Sequence, residues 1–524
     1  MDKKLSLKNI AEATKAKVFT EQDLADIAIQ HISTDSREIK ANSVFIALKG
    51  EKHDAHEYLE EAVKQKPKAI IIDKENLVSK YEKLLPVLLV KDTNRALLDI
   101  ARLYRDSLET KIIALTGSVG KTSTKNLLSQ ALATDAKVYK TRKNNNNEFG
   151  VAYTLLEIPS ASEYAVVECG MDRLGQIEKM SLASHPDLCL ITNIGTSHIE
   201  FLNSRLNILK AKSEILKGAK EGAPLVILAE DPYLLKLAEE TLDERPVIFL
   251  DTDGMSQKLR TKLEEDKKLE PVSAERINAL ANKASQAKVK NLFSNVQSGT
   301  RYKLKEFSYD NEGINFKVFK AKPNEEFKLI AQLDLKAFGP QLCENILFSL
   351  AVSDILGISL EKVVSSFNTN LELEASRQEI HKLEQGNLII DDAYNASAES
   401  MKSAFVLSEH LLAQPEYEKS VAILGGVNEL GSYEQAIHMD IARAIAKSSF
   451  SEVLLQGPEA KKMQAVILEN NSNIKVKTFA NNAETIEYLK ANTYQKTIFL
   501  LKASRTYKFE EISEALKDIY KLKD

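Results

Sequence analysis

The sequence predicts an α/β protein of three domains with a phosphate-binding loop in the middle one. Three observations lead there. At 524 residues the chain is too long for one core, and at roughly 150 residues per domain three is the natural division. Short apolar runs alternate with stretches of helical periodicity from end to end, as in folds that alternate strands and helices. And Ile112 to Lys125, IIALTGSVGKTSTK, reads as a buried strand, a glycine turn and a helix N-terminus.

Composition bounds the function. Hydrophobic content of 44% and charged content of 28% are ordinary for a globular chain. A net charge of -4 provides no basic field for nucleic acid, so no nucleic-acid partner is expected. Cys169, Cys189 and Cys343 are too few and too scattered for a disulfide framework or a CxxC metal site, and they suit a reducing cytoplasm. The N-terminus, MDKKLSLKNI, has lysines but no apolar segment of the signal-peptide kind. No apolar run approaches about 18 residues, so no membrane span is expected.

Residues 1–108 alternate short strands and helices. Val44 to Leu48, Ala69 to Asp73 and Val87 to Val90 are strand-like, and Tyr58 to Gln65 and Ala96 to Asp106 read as helices. The peptide Ser33-Thr34-Asp35-Ser36-Arg37 packs hydroxyls, a carboxylate and an arginine together. That suits a phosphorylated ligand, although an N-cap cluster before a solvated turn is the stronger reading of those residues alone. The donor-rich loop Lys49 to His56 is balanced between ligand binding and a solvated connection.

The middle region, 109–373, opens with the phosphate loop. Small residues let the N–H groups of Gly117, Ser118, Val119 and Gly120 approach an anion, and the helix dipole aims positive charge at it. Lys121 would reach the terminal phosphates and Thr122 would offer its hydroxyl to Mg²⁺, with Ser123 following. The first glycine of the usual P-loop pattern would fall at Leu115, so the loop here reads TGxxGKT. Next comes Asn144-Asn145-Asn146-Asn147-Glu148-Phe149-Gly150, either a low-complexity turn or a shaped ligand loop. Tyr164 to Val167 and Leu188 to Ile191 are strands that run into Glu168 and, after a short loop, His198. Ligands of parallel sheets sit at strand carboxyl ends, so Thr122, Glu168 and His198 can converge on Mg²⁺ near the phosphates. A lone loop histidine is the alternative for His198. Ile208 to Leu216 reads as a helix whose Lys210 and Lys212 form a solvated face. From about 253 to 300 the composition turns Lys-, Glu-, Gln- and Asn-rich, as in an insertion packed on the surface. Strand signals return at Tyr302 to Lys320 and Phe327 to Leu335 as an antiparallel edge. A helix from about Gln341 to Leu356 then carries Asn345 in its first turn, placed to read a base or to cap the helix.

The last region, 374–524, is again α/β. Ile389-Ile390 runs into Asp391-Asp392-Ala393-Tyr394-Asn395, and paired carboxylates there need a cation or hydroxyls beside them. Val421 to Leu424 precedes GGVNELG, and Thr497 to Leu501 precedes Lys502-Ala503-Ser504-Arg505. These loops mark one binding edge, expected to face the middle domain because ATP chemistry excludes water.

TGSVGKTSTK, NNNNEFG, ECG, HIE, KAKSEI, DDAYNAS, NELG and KASR follow the order seen in the Mur ligase family, with STDSR and VFIALKGEKHDAH ahead of them. The chain resembles that family, and within it the MurF type, over nearly its whole length except about 253–300. No DNPR signature of the sister ligase occurs. The resemblance implies a P-loop ATPase-like central domain, an N-terminal domain for a UDP precursor and a Rossmann-like C-terminal domain. It implies ATP and Mg²⁺ as cofactors, and UDP-N-acetylmuramoyl-tripeptide and D-Ala-D-Ala as substrates of a monomer that works through an acyl phosphate. By resemblance Lys121, His198 and Lys212 are catalytic, and Lys212 becomes a carbamate that joins Thr122, Glu168 and His198 around the metal. Asn345, Arg377, Asp392 and Asn395 are nucleotide contacts. Ser36, Arg37, Asn146, Asn147, Glu148, Lys502, Ser504 and Arg505 are substrate contacts. The chain departs from the pattern at Gln341-Leu342 (usually His-Asn), at Gly426 (usually Asp), at Ala229 (commonly Asn) and at Gln176 (commonly Glu). A folylpolyglutamate-type ligase and a non-catalytic nucleotide-binding relative are the competing functions.

Overall fold

The computed structural model describes residues 1–523 apart from 51–52, 262, 264–265, 267, 271, 310–312 and 373–378. Among the described residues, three large sheets of five, nine and six strands follow one another along the chain, with a two-stranded ribbon (Leu5–Ser6 with Ala28–Ile29) beside the first.

The first sheet places His31–Ser33, Ser43–Ile46, Ala69–Ile72 and Val87–Leu89 parallel, with Lys17–Phe19 antiparallel at the edge. Every residue of SVFI and AIII is buried, which is why these strands read as unbroken apolar runs. The edge strands Lys17–Phe19 and His31–Ser33 are only partly buried, and they escaped the sequence reading. Helix Thr93–Asp106 starts where Asp92 accepts from Asn94 N (2.8 Å) and Arg95 N (3.1 Å). Its buried Ala96, Leu97, Ile100, Ala101 and Tyr104 recur at helical spacing and pack on Leu7–Ala13 and Glu148–Leu156, joining the first region to the second.

In the nine-stranded sheet every neighbouring pair from Val138–Lys140 through Arg301–Tyr309 is parallel, and Ile314–Ala321 and Lys328–Leu335 close it as an antiparallel edge. The expected strand over 302–320 is thus two strands, the first still parallel to Val247–Asp251. Strand Lys111–Thr116 lies between Tyr164–Glu168 and Leu188–Ile191. Register pairs Glu168 with Leu115 and Ile191 with Thr116, so the loops beginning at Gly117, Cys169 and Thr192 open side by side.

The 253–300 stretch is more than a surface layer. Helix Ala274–Gln286 buries Ile277, Leu280, Ala281 and Ala284, and Leu259, Phe293 and Val296 are also in the core. Thr261 is fully buried. Its polar composition concealed an apolar stripe at helical spacing.

The six-stranded sheet orders Glu379–Lys382, Leu388–Asp391, Thr497–Lys502, Lys419–Leu424, Glu452–Gln456 and Lys475–Phe479, parallel except for the first pair. Register pairs Asp391 with Leu501 and Leu424 with Lys502, so the DDAYN, KASR and GGVNELG loops share one edge. No described helix is long and apolar enough to cross a membrane.

Candidate functional site

The two sets of strand ends face each other across a cleft of about 660 Å³. The middle region lines it with Ser118 to Ser123, Asn144, Asn146 to Glu148, Glu168, His198 and Asn345. The C-terminal region contributes Asp392, Asn395, Glu429 and Lys502.

The phosphate loop has the shape that its sequence implies. Gly120 is the N-cap of helix Lys121–Leu132 at φ +84°, a left-handed conformation natural to glycine. A Cβ there would meet Asn345 Oδ1 at 2.7 Å, and one on Gly117 would meet Thr192 Oγ1 at 1.8 Å. The loop is therefore packed from behind by Thr192, which donates to Val119 O (2.6 Å), and by Asn193, which accepts from Val119 N (2.9 Å). Lys121 Nζ folds over the loop and donates to Gly117 O (2.8 Å) and Ser118 O (3.3 Å).

Around Glu168 the cleft floor is built from several elements. Its Oε1 accepts from Thr122 Oγ1 (3.1 Å) and Asn146 Nδ2 (2.9 Å), and Lys125 Nζ stands 3.3 Å from Oε2. Lys125 also donates to Lys143 O (3.2 Å), tying the asparagine loop to the phosphate helix. Glu168 Oε2 is buried without an aligned hydrogen bond. A hydroxyl and a carboxylate of this kind fit a nucleotide-bound Mg²⁺, which takes one or two protein oxygens while phosphates and waters fill the rest. Among the described residues no group of three His, Cys, Asp or Glu side chains forms a ready-made cage.

Lys212 lies beneath the loop, buried, and its Nζ donates to Gly117 O (2.8 Å). The sequence-based solvated face is wrong for Lys212, because helix Arg205–Ser213 turns it inward together with Arg205, Ile208, Leu209 and Ala211. Burial, reinforced by the charge of Lys121, pulls this amine well below its ordinary range. His198, at φ +62°, places Nδ1 2.5 Å from Glu429 Oε2 across the cleft, an electrostatic contact without good hydrogen-bond alignment. Contact with His198 pulls the Glu429 carboxyl below its usual range.

The aspartate pair is satisfied as charge arithmetic requires. Asp392 Oδ2 sits 2.7 Å from the buried Lys502 Nζ, and Asp391 Oδ2 accepts from Ser513 Oγ (2.7 Å). Lys502 also donates to Asp392 O and Asn395 O, each at 3.1 Å. Tyr394 reaches over to the Asn144 side chain.

Ser36, Arg37, Ser504 and Arg505 do not line this cleft, whereas Asn147 does. Ser36 Oγ donates to Glu61 Oε2 (2.9 Å), and Arg37 is clamped on Asp35 at 2.9 and 2.6 Å with its side chain largely exposed. Thr34, in the same peptide, contacts the Tyr153 hydroxyl of the middle region. Ser504 Oγ accepts from Asn428 N (3.0 Å), and Arg505 pairs with Glu510 at 3.2 Å. In the loop Lys49 to His56, Asp54 engages both His56 Nδ1 and Lys74 Nζ at 2.6 Å. Asn147 accepts from Gly150 N (2.8 Å) as the N-cap of helix Glu148–Leu156. Arg377 lies outside the described residues.

Sequence reading missed Lys125, Tyr394 and Glu429. Lys125 carried a signal, since it lies one helical turn after Lys121. Glu429 carried none, because its partner His198 belongs to another sheet.

Comparison with known proteins accords with this geometry. Family models match residues 28–105 (Mur ligase family, catalytic domain), 115–275 (Mur ligase middle domain) and 376–505 (Mur ligase, glutamate ligase domain). The chain is 30% identical over 515 residues to the UDP-N-acetylmuramoyl-tripeptide–D-alanyl-D-alanine ligase of Bacillus subtilis (strain 168), covering 98% of each. It is 26% identical over 497 residues to the Escherichia coli (strain K12) protein of the same name, covering 94% of this chain and 95% of that one. Among solved structures, MurF from Acinetobacter baumannii superposes with a TM-score of 0.77 at 24% identity, covering 99% of both chains. MurF ligase from Thermotoga maritima in complex with ADP gives a TM-score of 0.71 at 23% identity, covering 93% of this chain and 97% of that one.

Proposed function

The chain belongs to the Mur ligase family, and we propose on that footing that it is an ATP-dependent ligase of peptidoglycan precursor synthesis. It joins D-alanyl-D-alanine to UDP-N-acetylmuramoyl-tripeptide through an acyl phosphate. The observation that carries this is the cleft itself, in which a phosphate loop, a buried carboxylate and the C-terminal loops meet in a chain that aligns end to end with ligases of that name.

A carboxylate is a poor acyl donor because its oxygen leaves badly. Phosphorylation by ATP turns that oxygen into a good leaving group, and the amine of the dipeptide then displaces phosphate through a tetrahedral intermediate. Gly117 to Ser123 cradle the phosphates, and Lys121 swings from its carbonyl contacts to the transferring group, where positive charge counts most. Thr122 and Glu168 would hold Mg²⁺, together with His198 and a carbamylated Lys212, and the ion would supply positive charge beside the phosphates. The depressed basicity of Lys212 supports the carbamate, since only the neutral amine adds CO₂. Asn345, Asp392 and Asn395 face the nucleotide. Asn146, Asn147, Glu148, Lys502, Ser504 and Arg505 take the peptide end of the substrate, and Ser36 and Arg37 its uridine end. Arg377 is assigned to the nucleotide by resemblance alone.

The domains are proposed to divide at 1–108 for the UDP precursor, 109–373 for ATP and 374–524 for closure over the site. The enzyme is placed in the cytoplasm, where its nucleotide substrates and three buried thiols belong, and it acts as a monomer. The test is phosphate release from ATP and Mg²⁺ with UDP-N-acetylmuramoyl-tripeptide, with and without D-Ala-D-Ala. Release that the dipeptide fails to stimulate overturns the assignment.

A further inference from the structure

The loop that presents His198 is held from the C-terminal region at both ends. His198 and Asn203 are left-handed, at φ +62° and +63°, and they bracket the four-residue helix Ile199–Leu202. Against its N-terminal end lies Glu429. Its carboxylate is 2.5 Å from His198 Nδ1, and its carbonyl accepts from Glu200 N at 3.1 Å. Against its C-terminal end lies Tyr433, whose hydroxyl donates to Asn203 O at 3.0 Å. Between them Gly431 rides on Glu200 so closely that a Cβ would be 3.0 Å from Glu200 Cγ. Glu429 is itself left-handed at φ +60°, uncommon for this residue type and sustained only where surrounding contacts enforce it.

We propose that Glu429 and Tyr433 are positioning residues of the transfer reaction: the segment 429–433 clasps the Ile199–Leu202 helix and so sets the place and ring orientation of His198 in the cleft. The proposal rests on the ligase function above for the importance of His198, and on geometry alone for the clasp. A four-residue helix is too short to hold its own direction, so its placement falls to whatever grips its ends. Because both grips come from the C-terminal region, in the loop after strand Lys419–Leu424, His198 is correctly presented only when that region is docked on the middle one.

The experiment uses the full chain with isotope-labelled histidine, whose eight rings are few enough to resolve, and His198 is identified from the spectrum of His198→Gln. Tyr433→Phe keeps the ring packed and removes only the hydroxyl that reaches Asn203. It should displace or broaden the His198 ring signals although Tyr433 contacts Asn203, at the other end of the helix, rather than the imidazole. It should also lower kcat about fivefold, while KM for ATP and the melting temperature hold. Gly431→Ala, which wedges the clasp from Glu200, should move the same signals. Unmoved His198 signals in both variants overturn the proposal. So does a kcat loss matched by equal changes in KM and melting temperature, since that is damage to the fold. The ring spectra need no turnover, so a wild-type protein without dipeptide-stimulated phosphate release would reject the ligase function and still report on the clasp.

Discussion

Two lysines one helical turn apart do different work because their surroundings differ. Lys121 borders the cleft and donates to the loop carbonyls of Gly117 and Ser118, beside the place a phosphate would take. Lys121→Ala should cut turnover by about a thousandfold or more in a phosphate-release assay, and near-normal turnover would reject the phosphate loop. Lys125 is buried, with its ammonium 3.3 Å from Glu168 Oε2 in the cleft floor. Lys212→Ala should be inactive and should regain part of its activity with added short carboxylic acids, which replace the carbamate anion. Full activity without them counts against a carbamate. Glu344 shows the opposite effect of burial. Burial, strengthened by Glu230, pushes it up to about 7 against the lowering effect of the Ser256 and Gln341 hydrogen bonds. In the unfolded chain a glutamate titrates near about 4.3. The folded state thus retains a proton that the unfolded state releases, so this group's contribution is complete below pH about 4 and is lost as pH rises through about 7. In denaturant titrations Glu344→Gln should match the wild type near pH 4 and exceed it by on the order of 3 kcal/mol at pH 8. A gap that does not change with pH would contradict this account.

Among elements, the strand–loop–helix at 111–132 was the easiest to read and is the most tightly constrained. The apolar strand is buried on both faces of a parallel sheet, which removes the alternation an exposed strand would show. The absence of glycine at Leu115 has a structural cause: Leu115 is still within the strand, paired with Glu168 and Leu190, and the turn begins only at Gly117. Gly117→Ala should therefore cost at least about a hundredfold in turnover, because its Cβ would drive into Thr192 Oγ1 and displace the loop. A nearly active variant would mean that the loop tolerates the shift. Helix Arg205–Ser213 was legible as a helix, but its buried face was not. Lysines count as solvated in any sequence pattern, and only the tertiary structure brings the Gly117 carbonyl to the buried Lys212 ammonium.

At the scale of the whole molecule, the fully buried Arg205 is the knot between regions. It pairs with Asp266 at 2.7 Å and Glu399 at 3.1 Å, and Glu399 also accepts from Thr196 Oγ1 at 3.3 Å. Asp266 in turn accepts from Tyr233 at 2.9 Å, so part of the polar 253–300 stretch is fastened to helices Pro232–Thr241 and Arg205–Ser213. Arg205→Met would leave the two carboxylates without their common cation. It should destabilise the protein by about 3–5 kcal/mol in urea and expose the C-terminal region to limited proteolysis, and an unaltered digestion pattern would show that the regions are held elsewhere. By itself the sequence determined the α/β class, the three-region order, the phosphate loop and the polar strand-end loops, because each is written in local periodicity or in adjacent residues. Only the tertiary structure decided that Lys125 serves Glu168, that Lys212 is buried, that Asp391 and Asp392 go to different partners, and that Glu429 meets His198. Those pairings join segments far apart in the chain, and register and docking of sheets, which no local pattern encodes, bring them within a few ångströms.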